Sequence, residues 1–154
     1  MYQIRRALRL PLAVVGLALA ATPAAAAKWG AVAFSESTGS FGKSWNFSSK
    51  DEAGRRAMAE CEKHAKDCKI VQTVSSADRG PETCLALAVL RADSKTAEGV
   101  QTTRSTAAET SADRQEAQSR ALDRCADVRT LLLRQPSPPE ASCRLVVSLC
   151  SRTP

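Results

Sequence analysis

The chain has 154 residues, with 22 Lys plus Arg against 16 Asp plus Glu and a single His. Arg5, Arg6 and Arg9 fall in the first 27 positions, so beyond them 19 basic residues face 16 acidic ones, a balance of +3. With no basic run or stripe in that remainder, the electrostatic footprint of nucleic-acid binding is missing.

The first 27 residues read as a signal peptide. Three arginines make a positive n-region, Leu10 to Ala21 is an apolar core, and Ala24 to Ala27 offers small residues for cleavage after Ala26 or Ala27. The apolar run is shorter than the roughly 20 residues that span a bilayer. No Cys follows it, which argues against a lipid anchor. Residues 28–154 are expected to form one exported domain without stable membrane insertion, periplasmic or secreted.

That domain repeats itself once, residues 28–75 matching 84–151. The strand Trp29-Gly-Ala-Val-Ala-Phe34 corresponds to Cys84-Leu-Ala-Leu-Ala-Val89. After the first of these, Ser35 to Ser40 reads as a turn around Gly39, and Phe41 to Phe47 as the returning strand. Ser49 and Glu52 predict a capping box. The helix they open carries Ala53, Ala57, Met58 and Cys61, apolar at i, i+4, i+5 and i+8. A strand Cys68-Lys-Ile-Val-Gln-Thr-Val74 follows, and Ser76 to Thr83 connects the copies. In the second copy, Gly99 to Ser105 is a polar returning strand near a sheet edge. Thr110 or Ser111 is expected to begin a longer helix with Ala117, Ala121, Leu122 and Cys125 on its apolar face, extended by Leu131 to Leu133. Pro136, Pro138 and Pro139 force a loop before the strand Cys143-Arg-Leu-Val-Val-Ser-Leu149. The fold class is therefore α+β: a duplicated strand-strand-helix-strand unit, its six strands merging into one antiparallel-rich sheet with both helices on one face.

Six Cys in a short exported chain point to three disulfides. The repeat makes Cys61 equivalent to Cys125 and Cys68 to Cys143, which favours Cys61–Cys68 and Cys125–Cys143. Cys84 and Cys150 remain. They stand at the start of one strand and the end of another that runs antiparallel to it, so they pair. Cys61, His64 and Cys68 are spaced like partial zinc ligands, but the even Cys count and export favour disulfides over metal or a catalytic thiol. No metal or other cofactor is expected.

All the aromatic residues after the signal peptide, Trp29, Phe34, Phe41, Trp45 and Phe47, lie in the first hairpin. They fill the core under the first helix or, for one or two of them, anchor a partner. Trp45 is the foremost candidate for that role, with Phe41 and Lys43 on its strand face. Enzyme signatures are missing: there is no nucleophile elbow and no phosphate-binding Gly loop. A Ser–His–Asp arrangement would have to run through His64. The paired carboxylates Asp51 with Glu52 and Glu60 with Glu62 read as solvated helix faces, as do Asp123, Arg124, Asp127 and Arg129.

The Trp29-Gly-Ala-Val-Ala-Phe34 opening, the Gly39 turn, the Ala-rich helix ending in Cys61, the Cys68-Lys-Ile-Val strand, Thr83-Cys84-Leu-Ala-Leu-Ala and the closing Cys143 to Cys150 strand together resemble an exported bacterial family, domain of unknown function 4189. The resemblance covers residues 28–151. It implies export, disulfides and a duplicated fold, with no catalytic residues to carry over. Relatives often have aromatic, Gly-rich second hairpins, whereas Gly99-Val-Gln-Thr-Thr-Arg-Ser105 is polar.

Three classes of function follow. The first is an exported binding module with a protein partner in the envelope or outside the cell, in one version an inhibitor or immunity-type protein against a cell-wall enzyme. The others are a structural envelope component and an enzyme of unrecognised type. The first is the leading expectation, and no catalytic site is assigned.

Overall fold

A computed structural model of the chain describes residues 27–78 and 82–152. Residues 1–26 of the signal peptide inferred above lie outside the described residues. The elements run β1 (Trp29–Phe34), β2 (Phe41–Phe47), α1 (Lys50–Glu62), β3 (Lys69–Ser75), β4 (Glu82–Thr96), β5 (Gly99–Ser111), α2 (Arg114–Leu132) and β6 (Glu140–Arg152). Each half is thus strand-strand-helix-strand. The halves form separate antiparallel sheets with matching order, β2-β1-β3 and β5-β4-β6. The first strand of each half is therefore the central one.

Those central strands dictate the layers. Successive strand residues point to opposite faces. Ala31 and Ala33 of β1 pack against Ala53, Ala57 and Cys61 of α1, whereas Val32 and Phe34 point the other way. In β4, Cys84, Ala86, Ala88 and Leu90 meet Ala117, Ala121 and Cys125 of α2. Leu85, Leu87 and Val89 turn toward Val32, Phe34 and Val74 of the first half. The two sheets therefore pack face to face with one helix on each outer side, giving four layers, helix-sheet-sheet-helix. Small residues line the helix-facing sides, so each helix sits close. Large ones fill the space between the sheets.

Two sheets rather than one is the main departure from the sequence reading, and it moves the helices to opposite sides. The reason lies in the inner stripes. Merged into a single sheet with both helices on one face, Val32, Phe34, Leu85, Leu87 and Val89 would have faced water. Stacking the sheets buries all five.

Several boundaries also differ. Thr110 and Ser111 end β5, paired with Leu85 and Cys84, and do not open α2. A 15-residue β4 offers partners that far. The helix is instead capped by Asp113, whose side chain accepts from the Glu116 backbone N–H at 2.8 Å. At α1, Ser49 is the N-cap and accepts from the Glu52 N–H. The Glu52 carboxylate, however, accepts from the Ser48 hydroxyl at 3.1 Å, so the box closes one residue early. Of Leu131 to Leu133, Leu132 alone packs on the core; Leu131 and Leu133 are exposed.

The β1–β2 hairpin breaks its own alternation. Ala31 faces Ser44 but Trp29 faces Phe47, so one more residue lies on β2 than on β1 between these pairs. Asn46, at φ 64°, takes up this bulge. Before the bulge, Gly42 and Ser44 face α1; after it, Phe47 does. Phe41 and Trp45 pack on the inter-sheet core, whereas Trp29 and Phe47 join Ala53 and Ala57 under α1. The aromatics thus divide between two cores, and Lys43 is exposed.

Candidate functional site

The six cysteines form three disulfides with the expected connectivity: Cys61–Cys68, Cys84–Cys150 and Cys125–Cys143. Two of them tie a helix to the strand that follows it. Cys84 and Cys150 are directly opposed on neighbouring strands. With Cys61 and Cys68 joined, neither offers a thiolate to a metal beside His64, which stands exposed in the turn after α1 with its backbone N–H on the Cys61 carbonyl. Glu82 lies near Cys84 and Cys150, but these sulfurs are likewise consumed by their bond.

The Trp45 neighbourhood is the concave surface that involves the singled-out residues. A groove of about 450 Å³ runs between β2, an edge strand, and α1, lined by Trp45, Phe47 and Lys43 from the strand side and Arg56, Glu60 and Lys63 from the helix. Helical spacing brings Arg56, Glu60 and Lys63 to one side, at i, i+4 and i+7. Lys63 is ion-paired with Glu60, and this hydrogen bond is the main cause holding the Glu60 carboxyl below its ordinary range. Lys43 and Arg56 have no ion pair among the described residues. The groove thus sets Trp45 and Phe47 beside net positive charge.

Trp45 is more than a surface ring. A Cβ built on Gly30 would lie 1.9 Å from its Cε3, so the six-membered ring occupies the space over Gly30. The counterpart of Gly30 in the second half is Leu85, fully buried in the same inter-sheet core. Trp45 therefore supplies from a neighbouring strand the bulk that Leu85 supplies from its own. Its indole Nε1 is buried without a hydrogen-bond partner among the described residues. Phe41, packed on the inter-sheet core, lies outside the groove lining.

A second polar cluster lies at the β1–β2 turn. Asp67 accepts hydrogen bonds from the Ser35 hydroxyl at 2.6 Å, the Ser37 hydroxyl at 2.8 Å and the Ser37 backbone N–H at 3.1 Å. These donors, Ser35 first, lower the Asp67 pKa to about 2. Because the carboxylate bonds both serines directly, the arrangement is a structural clamp on the turn. The paired carboxylates behave as surface groups: Asp51, Glu60 and Glu62 are exposed, and Glu52 serves the helix cap. Arg124 pairs with Glu109 of β5, and Arg129 donates to the Ala141 carbonyl of β6, tying α2 to its sheet.

The sequence singles out Trp45 and Lys43 but not Arg56 and Lys63. Their signal was available: helix positions on the side of Glu60, adjacent to the strand the helix packs on.

A family model described as a domain of unknown function, DUF4189, matches residues 29–150. Comparison with curated proteins and with solved structures found no match.

Proposed function

The chain belongs to the DUF4189 family, and on that footing we propose that it is an exported, disulfide-stabilised binding module that takes an acidic segment of a protein partner in the groove between β2 and α1. The observation that carries this reading is the groove itself, lined by Trp45 and Phe47 and cationic at Lys43 and Arg56, with Lys63 paired to Glu60. Trp and Arg are the residues on which interface energy concentrates. β2 is also an edge strand, and its unpaired outer backbone groups suit an extended segment added alongside.

Export is supported by the n-region, apolar core and small-residue cleavage site of residues 1–27 and by three disulfides, which persist in oxidising compartments. No helix among the described residues is long and apolar enough to cross a membrane. Binding is favoured over catalysis because the single His is exposed beside a closed disulfide, and Asp67, whose carboxyl pKa is lowered to about 2, is spent on the turn. An inhibitor of a cell-wall enzyme is one form this module could take.

The test is capture from periplasmic and culture-fluid extracts with the oxidised protein, set against a Lys43→Glu/Arg56→Glu double variant. Both side chains are free of ion pairs among the described residues, so the double variant keeps the fold. A partner held by the wild type, released by moderate salt and lost with charge reversal supports the proposal. A partner retained equally by the double variant refutes the groove as its site.

A further inference from the structure

Sheet lengths differ between the halves, and the difference leaves a face uncovered. β1 has 6 residues whereas β4 has 15. At about 3.3 Å per residue these are roughly 20 and 50 Å, so β4 and its neighbours project well past the first sheet. The inner face of β4 records where the cover ends: Leu85, Leu87 and Val89 are followed on the same face by Arg91, Asp93 and Lys95.

Register concentrates arginines at that point. Arg91 of β4 is directly opposite Arg104 of β5, and Arg144 of β6 is opposite Val89. All three line one cleft of about 380 Å³, with Thr38 and Gly39 of the β1–β2 turn on one side, Ser142 nearby, and Val89 and Val146 as an apolar floor. Like charges directly opposed across a strand pair destabilise it, yet three gather here. Two are fixed by the fold. Arg91 donates to Asp93, which also accepts from the Thr102 hydroxyl at 2.5 Å. Arg104 donates through one terminal nitrogen to the Glu36 and Ser37 carbonyls, at 3.2 and 2.7 Å, which leaves its other donors unused by these bonds. Gly39, at φ +78°, lies under the Arg104 side chain; a Cβ there would approach its Nε to 3.0 Å. Arg144 is exposed and has neither hydrogen bond nor ion pair among the described residues.

We propose that this cleft binds a tetrahedral oxyanion, a phosphate or sulfate group, between Arg91, Arg104 and Arg144. Three guanidinium forks arriving from three adjacent strands can serve three or four oxygens, more than the two a carboxylate offers. Asp93 offsets one of the three charges, and the remaining two match a dianion. The site is distinct from the groove beside β2, and neither reading depends on the other. The sequence shows no basic run because each arginine comes from a different strand.

The experiment titrates the oxidised protein with inorganic phosphate, sulfate and acetate at constant ionic strength, with binding read by calorimetry and by the Arg Nε–Hε resonances in NMR. Saturable phosphate or sulfate binding that moves the Arg104 and Arg144 resonances is expected, with acetate weaker. Arg144→Gln, whose side chain holds nothing in the fold, should keep the wild-type melting temperature and weaken binding roughly ten- to a hundredfold. Arg144→Lys should recover only part of it, because a point charge replaces a fork. Phenyl phosphate as a further arm assigns the source: tighter binding than inorganic phosphate indicates an esterified group resting on Val89 and Val146, equal binding the free ion. The proposal is overturned by acetate binding as tightly as phosphate, by an Arg144→Gln affinity equal to wild type, or by no saturation in the millimolar range.

Discussion

Gly42 is the position where one added methyl group should do the most harm. It sits in β2 opposite Ala33, facing α1, and a Cβ there would come within 2.0 Å of the Ala57 carbonyl oxygen and 2.4 Å of the Cys61 backbone nitrogen. Both obstacles are helix backbone, so no side chain can swing aside. Relief requires α1 to withdraw by about 1 Å or more to restore van der Waals contact. The helix is not free to do so. Cys61 is bonded to Cys68, and the buried Ser44 hydroxyl donates to the Ala53 carbonyl at 2.7 Å. Withdrawal would also open a gap over Ala31, Ala33, Ala53 and Ala57, all fully buried. Overpacking of a core costs about 1–3 kcal/mol where side chains can adjust; with only backbone to move, Gly42→Ala should reach the top of that range, about 3 kcal/mol, or exceed it. Urea unfolding of the oxidised protein measures this. Gly54→Ala is the internal control, since nothing lies within 4 Å of a Cβ there. As an interior helix substitution it should stabilise by about 0.5–1 kcal/mol. If Gly42→Ala cost less than 1 kcal/mol, α1 would be shown to float on its sheet and the close-packing argument would fail.

The remaining expectations concern other bonds. Because the folded-state pKa of Asp67 is lowered from 3.8 to about 2, its contribution is fully present above about pH 4 and is lost as pH falls toward 2. Unfolding midpoints measured across that window should fall less steeply in Asp67→Asn than in wild type, and an unchanged slope would refute the turn clamp. Removing disulfides pairwise to Ser should cost in order of loop length. The chain-entropy model gives about 2 kcal/mol for Cys61–Cys68, 3 for Cys125–Cys143 and 4 for Cys84–Cys150, with sequence separations of 7, 18 and 66. Denaturant titration that inverted this order would show native-state effects dominating. Ser44→Ala should lose about 1 kcal/mol from the bond to Ala53, read from the same titrations.

The disulfide pattern and the order of elements were legible because they depend on position along the chain, and the two copies constrained each other. The two-sheet arrangement was harder to read, though its mark is present in β4. A strand apolar on both faces, Leu85, Leu87 and Val89 on one and Ala86 and Ala88 on the other, is covered on both sides. The Asn46 bulge was not readable, since period-2 reasoning assigns Phe47 to the face of Trp45 until an extra residue intervenes. The boundary between β5 and α2 failed because Thr110 and Ser111 suit a cap as well as a strand; pairing with distant Cys84 and Leu85 decided the matter. The two cationic surfaces share one difficulty. Arg56 and Lys63 become neighbours of Lys43, and Arg144 of Arg104, only through contacts between elements remote in sequence.

No disulfide crosses from the first half to the second: Cys61–Cys68 closes within one, and Cys84–Cys150 and Cys125–Cys143 within the other. The halves are joined by chain continuity, by the inter-sheet core of Val32, Phe34 and Val74 on Leu85, Leu87, Val89 and Val147, and by polar contacts such as Arg104 with the first turn. Each half is thus an internally stapled cassette, and what separates them is a solvent-reversible seam that no reductant is needed to open. Two chains could exchange cassettes through that seam, the first half of one closing on the second half of the other. The interlocked dimer would then contain every native disulfide and every native sheet, and non-reducing gels would not distinguish it from the monomer.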